Sequence, residues 1–306
     1  MKLLVVGGNG FVGSSVVKHA VQRGWDVVSF SASGRPFATN EGFSPSWTRK
    51  VEWRQGSPFE SAAIAEVLPT CSAAVSTLGV LFETEYKSGG QPSVLGLVRS
   101  IARNLIGDRG NPLVRSATQS KTYERMNKDA VLALLDNVVA IHPQPDGAAR
   151  FPFVYVSAED IFRPWVSSRY IETKRAAEKA ILARAEALDR APEGAWRLRP
   201  ILVRPSLVYH PHQRPTTTVP AALLEATAQV HKTMAGRRTS DQSFSLVDKT
   251  ANELDSLSSS VRRLLSIPPV HVDAVGEAIC RSIADSNVEG VVDVARMRGM
   301  LFRNEA

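Results

Sequence analysis

Three glycines spaced three apart, Gly7, Gly10 and Gly13, constrain this chain more than any other feature. They follow the apolar run Leu3-Leu4-Val5-Val6 and overlap the start of a helical pattern in Val12, Val16, Val17, Ala20 and Val21. A short apolar run closed by turn residues reads as a buried parallel strand, and the glycines as a tight turn into a helix. Gly24 after Arg23 is a fitting helix stop, and 26–30 reads as the next strand. The opening segment is therefore one βαβ unit, with a right-handed crossover expected. Glycine suits such a turn because a side chain penalises its backbone angles and because a diphosphate must approach the main chain closely. The helix N-terminus adds unpaired N–H groups and the positive end of a dipole.

The alternation continues. Strands are expected at 51–53, 73–78, 153–157 and 201–203, and helices at 61–68, 123–139 and 172–188. A helix at 216–234, a short strand at 270–272, a helix at 274–284 and a final strand at 291–294 complete the pattern. Residues 83–120 form a polar excursion, and about 236–262 a mobile, serine-rich insertion. Strands alternating with helices predict an α/β fold, a Rossmann-type doubly wound parallel sheet. The expected organisation is a single NAD(P)-binding domain over 1–306, with a small C-terminal substrate-side subdomain drawn mainly from 206–306.

Composition excludes several classes. Apolar residues at 43% and charged residues at 22% match a globular chain with a core, and no apolar run approaches the ~18 residues that span a bilayer. The formal charge of +7 is spread along the sequence and carries no nucleic-acid signature. It suits an anionic cofactor, an acidic partner or peripheral contact with an anionic membrane. Cys71 and Cys280 stand in apolar surroundings and make no disulfide scaffold. Lys2 leads straight into the first strand, so no cleavable presequence is expected. His210-Pro211-His212 has two imidazoles but no Cys or acid at ligand spacing, so no metal is expected.

The second strand ends without an acid, in Phe30-Ser31-Ala32-Ser33-Gly34-Arg35. A carboxylate there would bind ribose hydroxyls and repel a 2′-phosphate, whereas Ser31, Ser33 and Arg35 welcome it. The reading favours NADP(H) and leaves NAD(H) open. Further on, Tyr170 and Lys174 form Y-x-x-x-K at the start of a strong helix, on one helix face. An ammonium beside a phenol favours the phenolate, so Tyr170 can pass a proton to or from a substrate oxygen. Ser157, thirteen residues earlier, can orient that oxygen (170 − 157).

These motifs together resemble the short-chain dehydrogenase/reductase superfamily, in its extended or atypical branch. The resemblance implies cofactor contacts at Gly7, Asn9, Gly10, Phe11, Val12 and Gly13, and a catalytic group of Ser157, Tyr170 and Lys174. Thr77-Leu78-Gly79 is similar to the segment along the nicotinamide side, and Asn127 to the helix asparagine of the extended branch. Arg204-Pro205-Ser206-Leu207-Val208-Tyr209 resembles the R-P-x-x-V-Y stretch, which implies cofactor contacts at Pro205 and Val208. His271-Val272-Asp273-Ala274-Val275 resembles a late H-V-D-D-V segment, without its second acid. Gly56-Ser57 stands where many relatives have Gly-Asp.

A narrower resemblance, carried by 7–13, 123–128, 155–159 and 170–175, is to a fungal mitochondrial dehydrogenase-like family of ubiquinone (coenzyme Q) biosynthesis. It implies an oxidoreductase on a small hydrophobic or quinone-like substrate, on the matrix side of the mitochondrial inner membrane among ubiquinone-biosynthesis complex subunits. It also implies a homodimer. The alternatives are a non-catalytic NADPH-binding accessory subunit of an inner-membrane complex and a sugar-nucleotide epimerase or dehydratase.

Overall fold

The computed structural model describes residues 1–79, 124–142, 150–160, 168–190, 197–211, 213 and 267–302. Nine strands lie among them: β1 (Lys2–Val6), β2 (Asp26–Ser31), β3 (Val51–Gln55), β4 (Ala73–Ser76), β5 (Phe151–Val156), β6 (Leu198–Val203), β7 (Val208–Tyr209), β8 (Val270–His271) and β9 (Gly290–Val292). Seven of them form one parallel sheet in the order β3-β2-β1-β4-β5-β6-β9, and β7 and β8 form a separate parallel pair. The expected Rossmann-type α/β fold is therefore present. Order reverses between β1 and β4, and the crevice at such a switch point is where this architecture binds ligands.

Strand periodicity splits the core. Leu3 and Val5 pack with α1 (Phe11–Gln22) and α5 (Val272–Ala284) on one face, through Val16, Val17, Ala20, Val275 and Ile279. Leu4 and Val6 face the other way, toward Val131, Leu134 and Val138 of α3 (Ala130–Ile141) and Ile181 of α4 (Ser168–Asp189). The remaining helices are the short α2 (Ser61–Ala65) and α6 (Val294–Phe302). Among the described residues no helix is long and apolar enough to cross a membrane.

The face bearing α1 is closed by charge as well as by apolar packing. Arg23 makes two bonds to Glu277, at 2.7 and 2.6 Å, and Lys18 reaches Asp273 at 2.8 Å. Arg23, with help from Arg281 and against the effect of burial, lowers the Glu277 carboxyl to about 2. His19 and Lys18 hold Asp273 well below the usual carboxylate range. Within β6, Arg199 is buried, and its guanidinium donates to the carbonyls of Ser282, Ile283, Asp285 and Val288. These oxygens lie at and just beyond the C-terminus of α5, where a cation satisfies orphan acceptors and the helix dipole together.

Several boundaries move from their expected places. The helix expected at 61–68 stops at Ala65, and Leu68–Thr70 is a separate 3-10 turn around Pro69, which cannot continue a helix. The strand expected to reach 272 ends at His271, whose Nδ1 accepts the Asp273 N–H at 3.2 Å and starts α5. The final strand ends at Val292, not 294. Asp293 accepts the Arg296 N–H at 2.8 Å, as an N-cap does, and α6 follows. The expected features at 83–120, 216–234 and 236–262 lie outside the described residues.

Candidate functional site

The turn after β1 is built by its glycines. Gly7 has φ +90°, and a Cβ there would meet Thr77 Oγ1 at 2.6 Å, so the turn packs directly on the end of β4. A Cβ on Gly13 would lie 2.1 Å from the Gly7 carbonyl oxygen, which lets α1 start hard against the turn. Gly7 N–H donates to Phe30 O at 2.8 Å, Gly10 N–H to Gly7 O at 2.9 Å and Ser14 N–H to Gly10 O at 2.8 Å. Gly10 caps α1 with no side-chain bond and is exposed. The start of α1 thus stands directly behind a turn of glycines, a shape that lets a dinucleotide diphosphate come close to the backbone.

A second contact ties this turn to the end of β2. Asn9 Nδ2 donates to Ser33 Oγ at 3.0 Å and to Arg35 O at 3.3 Å, while Arg35 N–H donates to Ser33 Oγ at 3.3 Å. Gly34, at φ +63°, packs against Gln55 of β3. Ser33 and Arg35, both expected to meet a 2′-phosphate, are exposed. Ser31 differs from them: it is buried, and its hydroxyl accepts the Gly34 N–H at 3.1 Å within the turn.

The residues of the expected catalytic group come from two elements. Ser157 lies one residue past β5, buried, its N–H bonded to Val203 O at 2.7 Å. Tyr170 and Lys174 lie near the start of α4, with Lys174 Nζ 6.0 Å from the Tyr170 ring centroid. Lys174 is buried and donates to Val156 O at 2.9 Å and Leu78 O at 3.2 Å. Burial lowers its ammonium to about 7, against the opposing pull of the Glu178 carboxylate. A Cβ on Gly79 would meet Lys174 Nζ at 2.7 Å and Asn127 Oδ1 at 3.2 Å, so Gly79, Lys174 and Asn127 converge. Asn127 is buried in the π-helical turn Arg125–Asp129 that leads into α3, and π-turns are frequent at functional sites. Thr77 donates through Oγ1 to Val6 O at 3.0 Å and fixes the segment beside the glycine turn. Pro205 O accepts the Glu159 N–H at 2.9 Å, and Val208 lies in β7.

Three residues around Ser157 were not singled out from sequence as a group. Arg175 donates to Ser157 Oγ at 3.2 Å, to Ala158 O at 2.9 Å and to Glu178 Oε1 at 2.7 Å. Glu178, buried, also takes Arg204 at 2.9 and 2.5 Å. With the guanidinium donating to its oxygen, the Ser157 hydroxyl keeps its hydrogen for another acceptor. The available signal was Glu178 four residues after Lys174 on one helix face.

His210, His271 and Asp273 bring one potential ligand atom each within 4.8 Å of one another, a grouping across β7, β8 and α5 that the sequence spacing did not expose. Each imidazole accepts a backbone N–H at Nδ1, from Gln213 at 3.1 Å and from Asp273 at 3.2 Å. In the neutral ring that puts the proton on Nε2, which suits a hydrogen-bond donor rather than a metal ligand. His212 lies outside the described residues.

MIOREX complex component 2 of Saccharomyces cerevisiae is 33% identical over 220 residues, which cover 69% of this chain and 74% of that protein. The chain belongs to its family. An uncharacterized chloroplastic protein of Arabidopsis thaliana is 26% identical over 298 residues, covering 97% of this chain and 76% of the plant protein. No family model matches the chain. Among solved structures, MoeE5 in complex with UDP-glucose and NAD aligns at TM-score 0.52 and 20% identity, over 96% of this chain and 75% of MoeE5. UDP-glucuronic acid 4-epimerase from Bacillus cereus, in complex with NAD, aligns at TM-score 0.52 and 13% identity, over 96% of this chain and 76% of that one. Both share the Rossmann-type α/β fold with this member of the MIOREX component 2 family.

Proposed function

We propose that this chain is an NADP(H)-dependent oxidoreductase of the short-chain dehydrogenase type, working as a subunit of an organellar complex. The carrying observation is the convergence of Gly79, Asn127 and Lys174 beside the glycine turn, with Tyr170 above the same lysine. The first-turn amides from Phe11 to Gly13 and the exposed Gly10 would hold the diphosphate. Asn9, Ser33 and Arg35 would hold the 2′-phosphate, and Thr77, Leu78, Gly79, Pro205 and Val208 would line the nicotinamide side. When bound, the dinucleotide supplies or accepts hydride. Tyr170 donates or takes the proton at the substrate oxygen. Lys174 sets the charge beneath it, and Ser157, held by Arg175, donates its hydroxyl hydrogen to that oxygen.

NADP(H) is the favoured cofactor because no carboxylate stands at the end of β2 and a guanidinium does. The yeast relative's name as a complex component supports the subunit role, and the plant relative's chloroplastic description supports an organelle. A quinone-like ring as substrate, a mitochondrial inner-membrane location and a homodimer remain the finer parts of this proposal.

The complex membership of the yeast relative equally favours a second reading, in which the nucleotide only stabilises a docking subunit. The nucleotide-sugar ligands of the solved neighbours belong to a third reading, an epimerase or dehydratase. Calorimetry separates these. Binding of NADPH with turnover of a quinone precursor supports the first, binding without turnover the second, and binding of UDP-glucose the third. Absence of association with either NADPH or NADH removes the proposal.

A further inference from the structure

Between α1, the start of α5 and the loop after β2 lies a cavity of about 210 Å³. Its lining includes Pro45 and an aromatic pair, Phe37 and Trp47, stacked with ring centroids 5.7 Å apart and planes 19° from parallel. It also includes Lys18 and Asp273, paired at 2.8 Å. Thr39, also on the lining, accepts the Phe43 N–H at 3.2 Å and keeps its own hydroxyl hydrogen to donate.

The ion pair decides the charge of a fitting ligand. An anion entering would meet Asp273, and a cation would meet Lys18, whereas a neutral molecule leaves the pair intact. Both partners nevertheless have hydrogen-bonding capacity left. The ammonium has three N–H groups and spends one on Asp273 Oδ1, which also accepts from Ser15 Oγ at 3.3 Å, while Asp273 Oδ2 takes no hydrogen bond among the described residues. A hydroxyl can donate to that carboxylate oxygen while accepting from the ammonium.

Size and shape narrow the class further. An engineered apolar cavity of about 150 Å³ holds one benzene, so this one holds a single ring with its substituents. It falls short of the roughly 300–1,000 Å³ that larger ligands occupy. We propose that this cavity is a second small-molecule site, which takes a neutral, hydroxylated aromatic ring. Its lining includes none of Ser157, Tyr170, Lys174 or the turn glycines, so the site stands apart from the oxidoreductase reading.

Catechol is the probe, added to the intact chain and followed by calorimetry and by saturation-transfer NMR. Saturable binding at one site is expected. Toluene, which lacks the hydroxyls, and cyclohexane-1,2-diol, which lacks the aromatic ring, should each bind at least tenfold more weakly. Lys18→Met should weaken catechol at least tenfold with NADPH binding unchanged. Thr39→Leu, on a loop, should do the same if Lys18→Met does not fold. No saturable catechol binding overturns the proposal, as does equal affinity for either analogue or unaltered catechol affinity in a folded variant. Catechol binding in a chain that ignores NADPH would uphold this site while removing the dinucleotide reading.

Discussion

The ammonium of Lys174 lies 4.7 Å from the ring centroid of Tyr155, closer than the 6.0 Å that separates it from the ring of Tyr170. Tyr155 is fully buried, and its hydroxyl donates to Asn127 O at 2.5 Å. The lysine thus rests on an immobile aromatic floor, between the end of the sheet and the segment after β4. From that position it can hold charge under Tyr170 only by keeping a proton in a dry place.

Lys174→Met should therefore separate stability from activity. Burial has brought this group from 10.5 to about 7, so between those values the folded chain binds fewer protons than the unfolded one. Stability from this residue rises with pH across that window, and the penalty is fully present below it. The methionine variant should gain roughly 1–4 kcal/mol at pH 7 and lose the pH slope, while NADPH-dependent turnover falls to background. Thermal melts at pH 6, 8 and 10 measure both the gain and the slope. A less stable variant at pH 6 contradicts the account.

Arg35→Ala should reveal the cofactor preference. One charge-assisted contact to a 2′-phosphate is worth about 1.5–3 kcal/mol, so NADPH affinity should drop about 10- to 100-fold with NADH affinity unchanged. Titration calorimetry with both nucleotides checks this. Equal losses for the two would show that Arg35 reads something common to them.

Gly13→Ala tests the turn itself. Its methyl group would sit 2.1 Å from the Gly7 carbonyl oxygen, so α1 must retreat from the turn. Loss of nucleotide binding, with a folded chain by circular dichroism, is the expected outcome. Undiminished NADPH affinity would mean that the diphosphate lies elsewhere.

Arg199→Met tests the end of α5. Four carbonyls lose a shared donor inside the protein, which should cost about 2–4 kcal/mol, measured as a lower urea midpoint. A midpoint within error of the parent would show that water replaces the guanidinium at no cost.

Glu277 predicts acid behaviour. Its carboxyl is held at about 2 in the folded chain against an ordinary 4.5, so the stability it adds is present above 4.5 and drains away as pH falls toward 2. Glu277→Gln should flatten the acid limb of the stability curve in that interval. An acid limb of unchanged steepness would put the sensitivity on other carboxylates.

The sheet was readable because its signals are local. Strand, glycine turn, helix and strand occupy consecutive residues, and the Gly7 and Gly13 contacts follow from that spacing. Tyr170 and Lys174 were legible for the same reason, one helical turn apart. What stayed hidden joins distant positions. Arg199 lies outside the strand expected at 201–203, and its carbonyl partners are more than eighty residues later. The pairing of β7 with β8 brings His210 to His271, at 5.1 Å between rings, through a register that no periodicity in either segment records. Helix α6 was missed because Asp293 reads as the end of a strand as readily as a cap.

The packing of α1 against α5 has a consequence for biosynthesis. Ser15 bonds to Val272 O across 257 positions, and Val16 and Val17 are covered by residues of α5. At about 5–20 residues per second, a ribosome that has finished α1 needs on the order of ten seconds or more to deliver the helix that shields it. During that interval the nascent chain carries an uncovered apolar stripe beside its glycine turn. The apolar face of α1 is shielded only once residues 272–284 have been made and have packed on it.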